Sequence, residues 1–347
     1  MATFQPKIKR VEGAQSEANL SVHDRIKAGR TLMKEDRGDE ALAEFDAALK
    51  LDPNSLPAHL AVATIKFRRK EYAIAHDHME EVLRLDPMHL RAQLRLSQIH
   101  LAEGHYDLAL ASAENAVRLD AKIDAPHLAA GNICLVMGDL PRAKKFLVAA
   151  LRLNPRSSRA RLKMAKVLER GGEIEEALGH LNAAVRVDPE NPDVFEDLGR
   201  LHLLRKDSAR AREAFEQALQ RKPEETIPAQ TGLAESLIGL QEWDRAEKIL
   251  HEVTRDGRQG AKTHKLWGDL YHGRGLFKEA VEEYEAAKLL AAQEGVDPET
   301  LESGMFIDDD EDDDNQWKQR ASASKATTDE VLLQQRLDPS RRKKRDH

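Results

Sequence analysis

The sequence predicts an all-α protein: a right-handed α-solenoid of antiparallel helix hairpins, built from about eight repeats of 34 residues. The first observation is self-similarity, because DEALAEFDAALKLDP ending at Pro53 recurs as PRAKKFLVAALRLNP ending at Pro155. The second is composition, with 33% charged and 4% aromatic residues, which favours exposed helices over the core of a compact enzyme. The third is that no run approaches the ~20 apolar residues of a membrane-spanning helix.

A small residue inside each block fixes the period of the repeat. These anchors are Ala41, Ala75, Ala109, Ala143, Ala177, Ala211, Ala246 and Ala280. Their spacing is 34 residues, except for one step of 35 between Ala211 and Ala246. The predicted organisation is therefore an N-terminal extension over 1–21, eight repeats over 22–290, and a mostly disordered tail over 291–347.

Small and bulky residues alternate within each unit. Small residues occupy the first helix at Gly29, Ala63, Ser97, Gly131, Ala165, Gly199, Ala234 and Gly268. Bulky residues occupy the second helix at Phe45, Met79, Leu147, Leu181, Phe215, Leu250 and Tyr284, while Ala113 departs from the pattern. Turn glycines that tolerate positive φ separate the helices at Gly104, Gly138, Gly172 and Gly275. This pattern resembles the tetratricopeptide repeat, and the resemblance implies that the first helices line a concave surface.

One hairpin cannot bury its apolar face alone, so successive hairpins stack. If the first helices line a concave surface, repeats one to five place on it Lys27, Arg30, Lys34, Arg68, Arg91, Arg95, Arg159, Lys163, Lys166 and Arg170. Apolar residues interleave with these at Leu60, Phe67, Leu94, Leu101 and Leu128. A groove of basic and apolar side chains suits a protein segment that is both acidic and apolar. The alternative is a solvated basic surface whose leucines only pack between helices.

Repeats six to eight differ, because their inward positions carry more acidic than basic residues. The acidic residues are Asp193, Glu196, Asp197, Glu235 and Asp269, and the basic residues are Arg200, Lys262 and Lys265. The sequence thus predicts two binding segments of opposite polarity. The carboxylate clamp for chaperone C-termini, which is one use of this family, is disfavoured because no asparagine occupies the required places.

The tail concentrates charge. Residues 308–314 carry seven carboxylates, equal to the formal net charge of −7, so the rest of the chain is balanced. Such a run repels itself and predicts disorder. The acidic run directly follows the apolar residues Met305, Phe306 and Ile307, and residues 341–345 form a basic end of the chain. The tail either solubilises the chain or docks in the predicted groove of basic and apolar side chains. Docking would make the protein a self-gated assembly chaperone or regulator.

Nothing in the sequence indicates catalysis, a cofactor or a metal. No phosphate-binding glycine loop is present. Cys134 occupies an apolar register position and is interpreted as core. His76 and His78, two residues apart, point in different directions on a helix, and His100 and His105 are not expected to share a metal.

The partners predicted are therefore other proteins, bound by a scaffold or adaptor. RNA binding is a weaker alternative, since aromatic residues for base stacking are few. No obvious capping helix follows Leu290, so either a helix of the tail folds back over Leu289 and its neighbours or another subunit covers them, which would be self-association. One cysteine and no apolar leader between Met1 and Arg10 favour the reducing cytoplasm, or the nucleus in a eukaryotic host.

Overall fold

The computed structural model describes residues 20–221, 227–255 and 260–295, with only the backbone at 294. Within these ranges the chain forms sixteen α-helices and no β-strand, which confirms the all-α prediction. The helices are Val22–Lys34 (α1), Gly38–Leu51 (α2), Leu56–Arg68 (α3), Tyr72–Leu85 (α4), Leu90–Ala102 (α5), Tyr106–Leu119 (α6), Asp124–Met137 (α7), Leu140–Leu153 (α8), Ser158–Arg170 (α9), Ile174–Val187 (α10), Pro192–Leu204 (α11), Ser208–Arg221 (α12), Ile227–Gly239 (α13), Trp243–Arg255 (α14), Ala261–Gly273 (α15) and Phe277–Glu294 (α16). The predicted acidic run, the basic end and residues 1–19 lie outside the described residues.

The chain divides into two compact units, Met1–Glu173 and Ile174–His347. In the first unit, α1 to α8 form four successive hairpins, and α9 packs on α8. Each helix chiefly contacts its next neighbour, with weaker contacts between first helices of adjacent repeats. The core of this unit includes the fully buried side chains of Phe45, Met79 and Leu147.

The second unit contains α10 to α16, again as successive hairpins. Its core joins Phe215, Leu250 and Trp267, all buried, across α12, α14 and α15. Trp267 also stacks on Tyr271, with ring centroids 5.5 Å apart. None of the described helices combines the length and apolar character that crossing a bilayer requires.

Polar residues begin several helices. Ser21 and Asp24 form a reciprocal capping box at α1: the Asp24 backbone N–H donates to Ser21 Oγ over 3.2 Å. Asp139 caps α8 by accepting from the Arg142 N–H, and Ser157 caps α9 by accepting from Ala160. Each cap satisfies a backbone donor that the first turn leaves without a helical partner.

The predicted alternation of small and bulky residues is a steric requirement of the hairpins. A Cβ placed on Gly29 would lie 2.7 Å from the Phe45 ring, and one on Gly131 would lie 2.8 Å from Leu147 Cγ. Real Cβ atoms do not approach carbon atoms so closely, so the missing side chain lets the two helices of a repeat meet. The contact recurs 16 residues apart in other repeats, as at Gly199 and Phe215.

A left-handed residue separates the two helices of every repeat. The four predicted glycines have φ between +75° and +81°. The other four repeats use residues that the sequence did not single out, with φ between +57° and +61°: Asp36, Lys70, Lys206 and Gln241. Together the eight positions follow the same 34-residue period, with the same single step of 35.

Ion pairs on the surface connect successive repeats. Arg69 pairs with Asp39, Lys144 with Glu173, and Arg274 with Asp244, at separations of 2.6–2.9 Å. Each pair joins positions about one repeat apart in sequence. Exposed pairs of this kind are individually weak, contributing roughly 0–1 kcal/mol, so burial between helices dominates the stability.

Candidate functional site

The first helices of repeats one to three line an open cavity of about 640 Å³. Helix α1 contributes Arg30 and Met33, α3 contributes residues along one face, and α5 contributes Arg91 and Arg95. The complete lining is Arg30, Met33, Leu56, Pro57, Leu60, Ala61, Thr64, Met79, His89, Arg91 and Arg95. We call this cavity, together with the adjacent Arg68 and Phe67, the basic groove. Its volume falls within the range of roughly 300–1,000 Å³ typical of ligand sites.

Arg95 is the most constrained cation of the basic groove. Its guanidinium lies 5.0 Å from the centroid of the Phe67 ring, and Nη1 donates to Gln98 Oε1 over 2.8 Å. Burial lowers the pKa of Arg95, and the nearby charges of Arg68 and Arg91 lower it further. Three like charges thus lie close together, one of them over a half-buried aromatic ring, an arrangement that an anion would stabilise.

The groove arginines have no carboxylate partner within residues 20–221, 227–255 and 260–295. This holds for Arg30, Arg68, Arg91 and Arg95. Elsewhere in the described chain some arginines pair with a carboxylate, as Arg84 does with Glu81, an interaction that raises the arginine pKa. Others, such as Arg152 and Arg186, have no carboxylate partner among the described residues. The groove is distinguished by the clustering of its cations, since Arg68 and Arg91 lie close enough to Arg95 to lower its pKa.

The remaining predicted site residues do not line this cavity. Lys27 and Lys34 are exposed on α1, and Leu94, Leu101 and Leu128 are half-buried on α5 and α7. Arg159, Lys163, Lys166 and Arg170 lie on α9. Arg170 Nη1 donates to the Leu135 backbone oxygen over 2.8 Å, so this arginine satisfies the end of α7. The structure therefore brings together Arg30, Leu60, Arg91 and Arg95.

Several lining residues were missed by the sequence analysis. Leu56 and Thr64 lie one turn before and after Leu60, and therefore on the same helical face. That signal was present in the sequence, since groove positions recur every four residues. Met79 and His89 had no such signal, because they reach the cavity from α4 and from the residue preceding α5.

The predicted acidic segment of the second unit is largely neutralised by internal ion pairs. Arg200 pairs with Asp197 at 2.8 Å, and Lys262 pairs with Glu235 at 2.9 Å. Lys265 Nζ lies 2.7 Å from Asp269, which also accepts a hydrogen bond from the Tyr284 hydroxyl. Burial and Asp269 together raise the Tyr284 pKa. These carboxylates are engaged within the unit, so the basic groove is the stronger site.

The histidines of repeats two and three pair with one another. His76 and His78 diverge as predicted, with His76 5.3 Å from the His100 ring and His78 Nδ1 2.8 Å from His59 Nδ1. His59 Nε2 lies 2.8 Å from the Pro53 carbonyl oxygen, so this nitrogen must donate. In a neutral pair, His59 Nδ1 then accepts from His78. Burial lowers the His78 pKa, and so does the proximity of His59.

Cys134 is fully buried in α7, and burial raises the pKa of its thiol. Its interpretation as a packed core residue is confirmed. A buried thiol held in its neutral form is a poor nucleophile.

Sequence models of the tetratricopeptide repeat match residues 60–126, 128–192 and 162–226, and a second model of the same repeat matches 202–270. The chain belongs to the tetratricopeptide repeat family. Proteins of this family generally mediate protein–protein interactions and are typically non-catalytic. No curated protein matches the sequence.

Solved structures of tetratricopeptide repeat proteins share the fold. PilF of Pseudomonas aeruginosa is 22% identical with a TM-score of 0.53, covering 64% of this chain and 99% of its own. The type IV pilus biogenesis factor PilW is 17% identical with a TM-score of 0.56, covering 61% and 97%. The Cut9–Hcn1 structure gives a TM-score of 0.59 at 15% identity, covering 81% of this chain and 54% of that one. At these identities the similarity concerns the fold alone.

Proposed function

We propose that this tetratricopeptide repeat protein is a scaffold or adaptor that binds acidic, partly apolar protein segments in the basic groove. The observation that carries the proposal is the set of four arginines without carboxylate partners beside Leu60, Met33 and Phe67. A carboxylate entering the groove would relieve the repulsion around Arg95, and an adjacent apolar side chain would cover the half-buried leucine.

The cavity suits a short segment. Its volume of about 640 Å³ accommodates several side chains of one such segment. Because Arg95 is already held by Phe67 and Gln98, binding requires little further ordering of this side chain. The ligand class is therefore a short peptide segment with carboxylates next to apolar residues.

Fluorescence anisotropy of a labelled peptide tests the proposal. The probe has the sequence of residues 303–315, SGMFIDDDEDDDN, and a second probe replaces every acidic residue by lysine. We expect full-length protein to bind the acidic probe alone. Reversing charge at Arg30 or Arg91 should weaken binding about tenfold or more, equivalent to ~1.4 kcal/mol, and raising the salt concentration should weaken it further.

Arg156→Glu is the matched control, because Arg156 is exposed between α8 and α9, outside the groove. It should leave affinity unchanged. Equal binding of both probes, or equal affinity of Arg91→Glu and wild type, would show that the groove is not the site. Retention of single-stranded RNA by the wild type and not by Arg91→Glu would favour the RNA-binding alternative.

A second candidate function is a self-gated assembly chaperone or regulator. It is favoured by charge complementarity between the acidic run 308–314 and the basic groove. A chain ending at Ser303 should then bind the acidic probe more tightly than the full chain does. Equal affinities of the two chains would exclude gating without affecting the scaffold proposal.

The cellular location and self-association of the protein are also proposals. A single cysteine supports the reducing cytoplasm, and charge complementarity would equally allow one copy's tail to bind another's groove. Sedimentation velocity over a hundredfold concentration range tests the association, since a dilution-independent monomer excludes it.

A further inference from the structure

Three donor side chains converge at the turn of the third repeat. Helix α5 carries His100 in its last turn, and Glu103 and His105 flank Gly104, whose φ of +79° reverses the chain into α6. His105 Nδ1 lies 3.6 Å from Glu103 Oε2, and His100 Nδ1 lies 4.0 Å from the same oxygen. One ligand atom from each of the three residues lies within 4.8 Å of the others.

The second repeat holds an ion pair at the equivalent positions. There Lys66 and Glu71 occupy the positions 34 residues earlier than His100 and His105, and Lys66 Nζ lies 2.7 Å from the Glu71 carboxylate. The third repeat keeps the same turn but places two imidazoles where the second has an ion pair. Two imidazoles do not form an ion pair with each other, whereas a metal ion shared between them would supply an equivalent bridge.

We propose that His100, Glu103 and His105 bind a divalent transition metal, with Zn²⁺ as the ion of choice. Imidazole nitrogens and a carboxylate oxygen are ligands that Zn²⁺ takes in tetrahedral sites, with a fourth position open to water. Bonds of about 2.0–2.1 Å place tetrahedral ligands roughly 3.4 Å apart, so the two histidine–glutamate separations need to close by only ~0.2–0.6 Å.

The unsatisfied nitrogen of His100 supports this site. His100 Nδ1 is shielded from solvent and makes no hydrogen bond to any group in the described part of the chain. A buried polar atom without a partner is costly, and a metal bond would satisfy it. The His105 side chain is 59% exposed, which leaves it free to rotate toward the ion.

The surroundings are also suitable for a cation. Glu80 and His76 of α4 lie beside the cluster, with the His76 ring 5.3 Å from the His100 ring. His76 Nε2 and Glu80 Oε1 are 3.9 Å apart, so neither is engaged by the other at hydrogen-bond distance. A bound ion would connect α5 to α6 and so stabilise the repeat that carries Arg91 and Arg95.

Isothermal titration of untagged, chelator-treated full-length protein with zinc chloride tests the site. We expect one micromolar site, and a thermal midpoint that rises with zinc concentration, because an ion that binds the folded state alone stabilises it. His105→Asn and Glu103→Gln should each weaken this site at least tenfold and abolish the zinc-dependent rise. Both residues are exposed, so neither change disturbs the core.

His23→Asn is the matched control, because His23 is exposed on α1 away from the cluster. It should keep the affinity and the thermal shift of the wild type. The proposal is overturned if the wild type binds no zinc at micromolar concentration. It is equally overturned if His105→Asn retains the wild-type affinity and stoichiometry, since the ion would then be held elsewhere.

Discussion

Gly199 determines how closely α11 approaches Phe215, and replacing it by alanine should destabilise the second unit. A Cβ at position 199 would lie 2.7 Å from Phe215 Cε2 and Cζ. The space around the ring is limited further, because Gly232 of α13 also contacts it, with even less space for a Cβ. Gly199→Ala therefore forces either an unfavourable rotamer of Phe215 or a shift of a helix.

The expected loss follows from two opposing effects. Alanine in a helix interior is favoured over glycine by up to ~1 kcal/mol, whereas overpacking a core costs roughly 1–3 kcal/mol. Since Gly199 and Gly232 both leave the Phe215 ring little room to move, the upper part of the second range applies. We expect Gly199→Ala to lower the free energy of unfolding by about 1–2 kcal/mol.

Gly179→Ala in α10 is the matched control. A Cβ there meets no atom within 4 Å, so only the helix preference remains, and stability should rise by up to ~1 kcal/mol. Urea denaturation followed by circular dichroism measures both variants.

A combined Gly199→Ala/Phe215→Leu variant recreates the Ala234 and Leu250 pair of the next repeat. The free energy of unfolding of this double variant should be at least ~1 kcal/mol higher than the value expected if the two single changes were additive. If Gly199→Ala stabilises as much as Gly179→Ala, or if the cycle shows no coupling, the steric reasoning is wrong.

Three further predictions concern pH, a turn and a thiol. The pKa of His78 is lowered from 6.5 in the folded state, so its contribution to the free energy of unfolding is fully present above pH 6.5 and is lost as the pH falls below that value. His78→Gln should flatten this pH dependence in thermal melts at pH 7.5, 6.5 and 5.5. An unchanged dependence would contradict the prediction. Gly138→Ala should cost about 1 kcal/mol in urea denaturation, since φ there is +81°, and a neutral result would show that the turn is not constrained. Cys134 should react with a thiol reagent at least ~100-fold faster in denaturing urea than in buffer, because its side chain is buried and the pKa of its thiol is raised. A fast reaction of the folded chain would contradict the burial of Cys134 in the core.

The fold was predictable because its determinants repeat. The 34-residue period, the small residues in first helices and the bulky residues opposite them were all present in the sequence. The turn glycines were also evident, whereas Asp36, Lys70, Lys206 and Gln241 were not. At those four turns the closure of the hairpin dictates the positive φ, and the identity of the side chain gives no indication of it.

The candidate site was predictable in part. The repeat register placed Arg30, Leu60, Arg91 and Arg95 on the first helices of three successive repeats, and in the structure all four line one cavity. The hydrogen bond from Arg170 to the Leu135 carbonyl oxygen could not be anticipated, because it depends on the side-chain conformation of a residue 35 positions away on another helix.

The turn of the third repeat adds a residue that spacing alone does not reveal. His100 and His105 lie five residues apart across a turn and were not expected to share a metal, and that expectation stays a prediction. The chain reverses at Gly104 between them, and this reversal brings both imidazoles to Glu103. The position of the Glu103 side chain depends on the geometry of the turn, which residue spacing does not give.

Within each unit, every helix makes its main contacts with the next one or two helices along the chain. Relative contact order is therefore low, as in helical proteins that fold in microseconds to milliseconds despite similar stabilities. Each hairpin closes only a short loop, and folding can begin at any well-packed pair and extend from there. Gain or loss of a whole 34-residue unit would consequently leave the remaining contacts intact, so the chain length of such a protein can change in evolution without a new folding pathway.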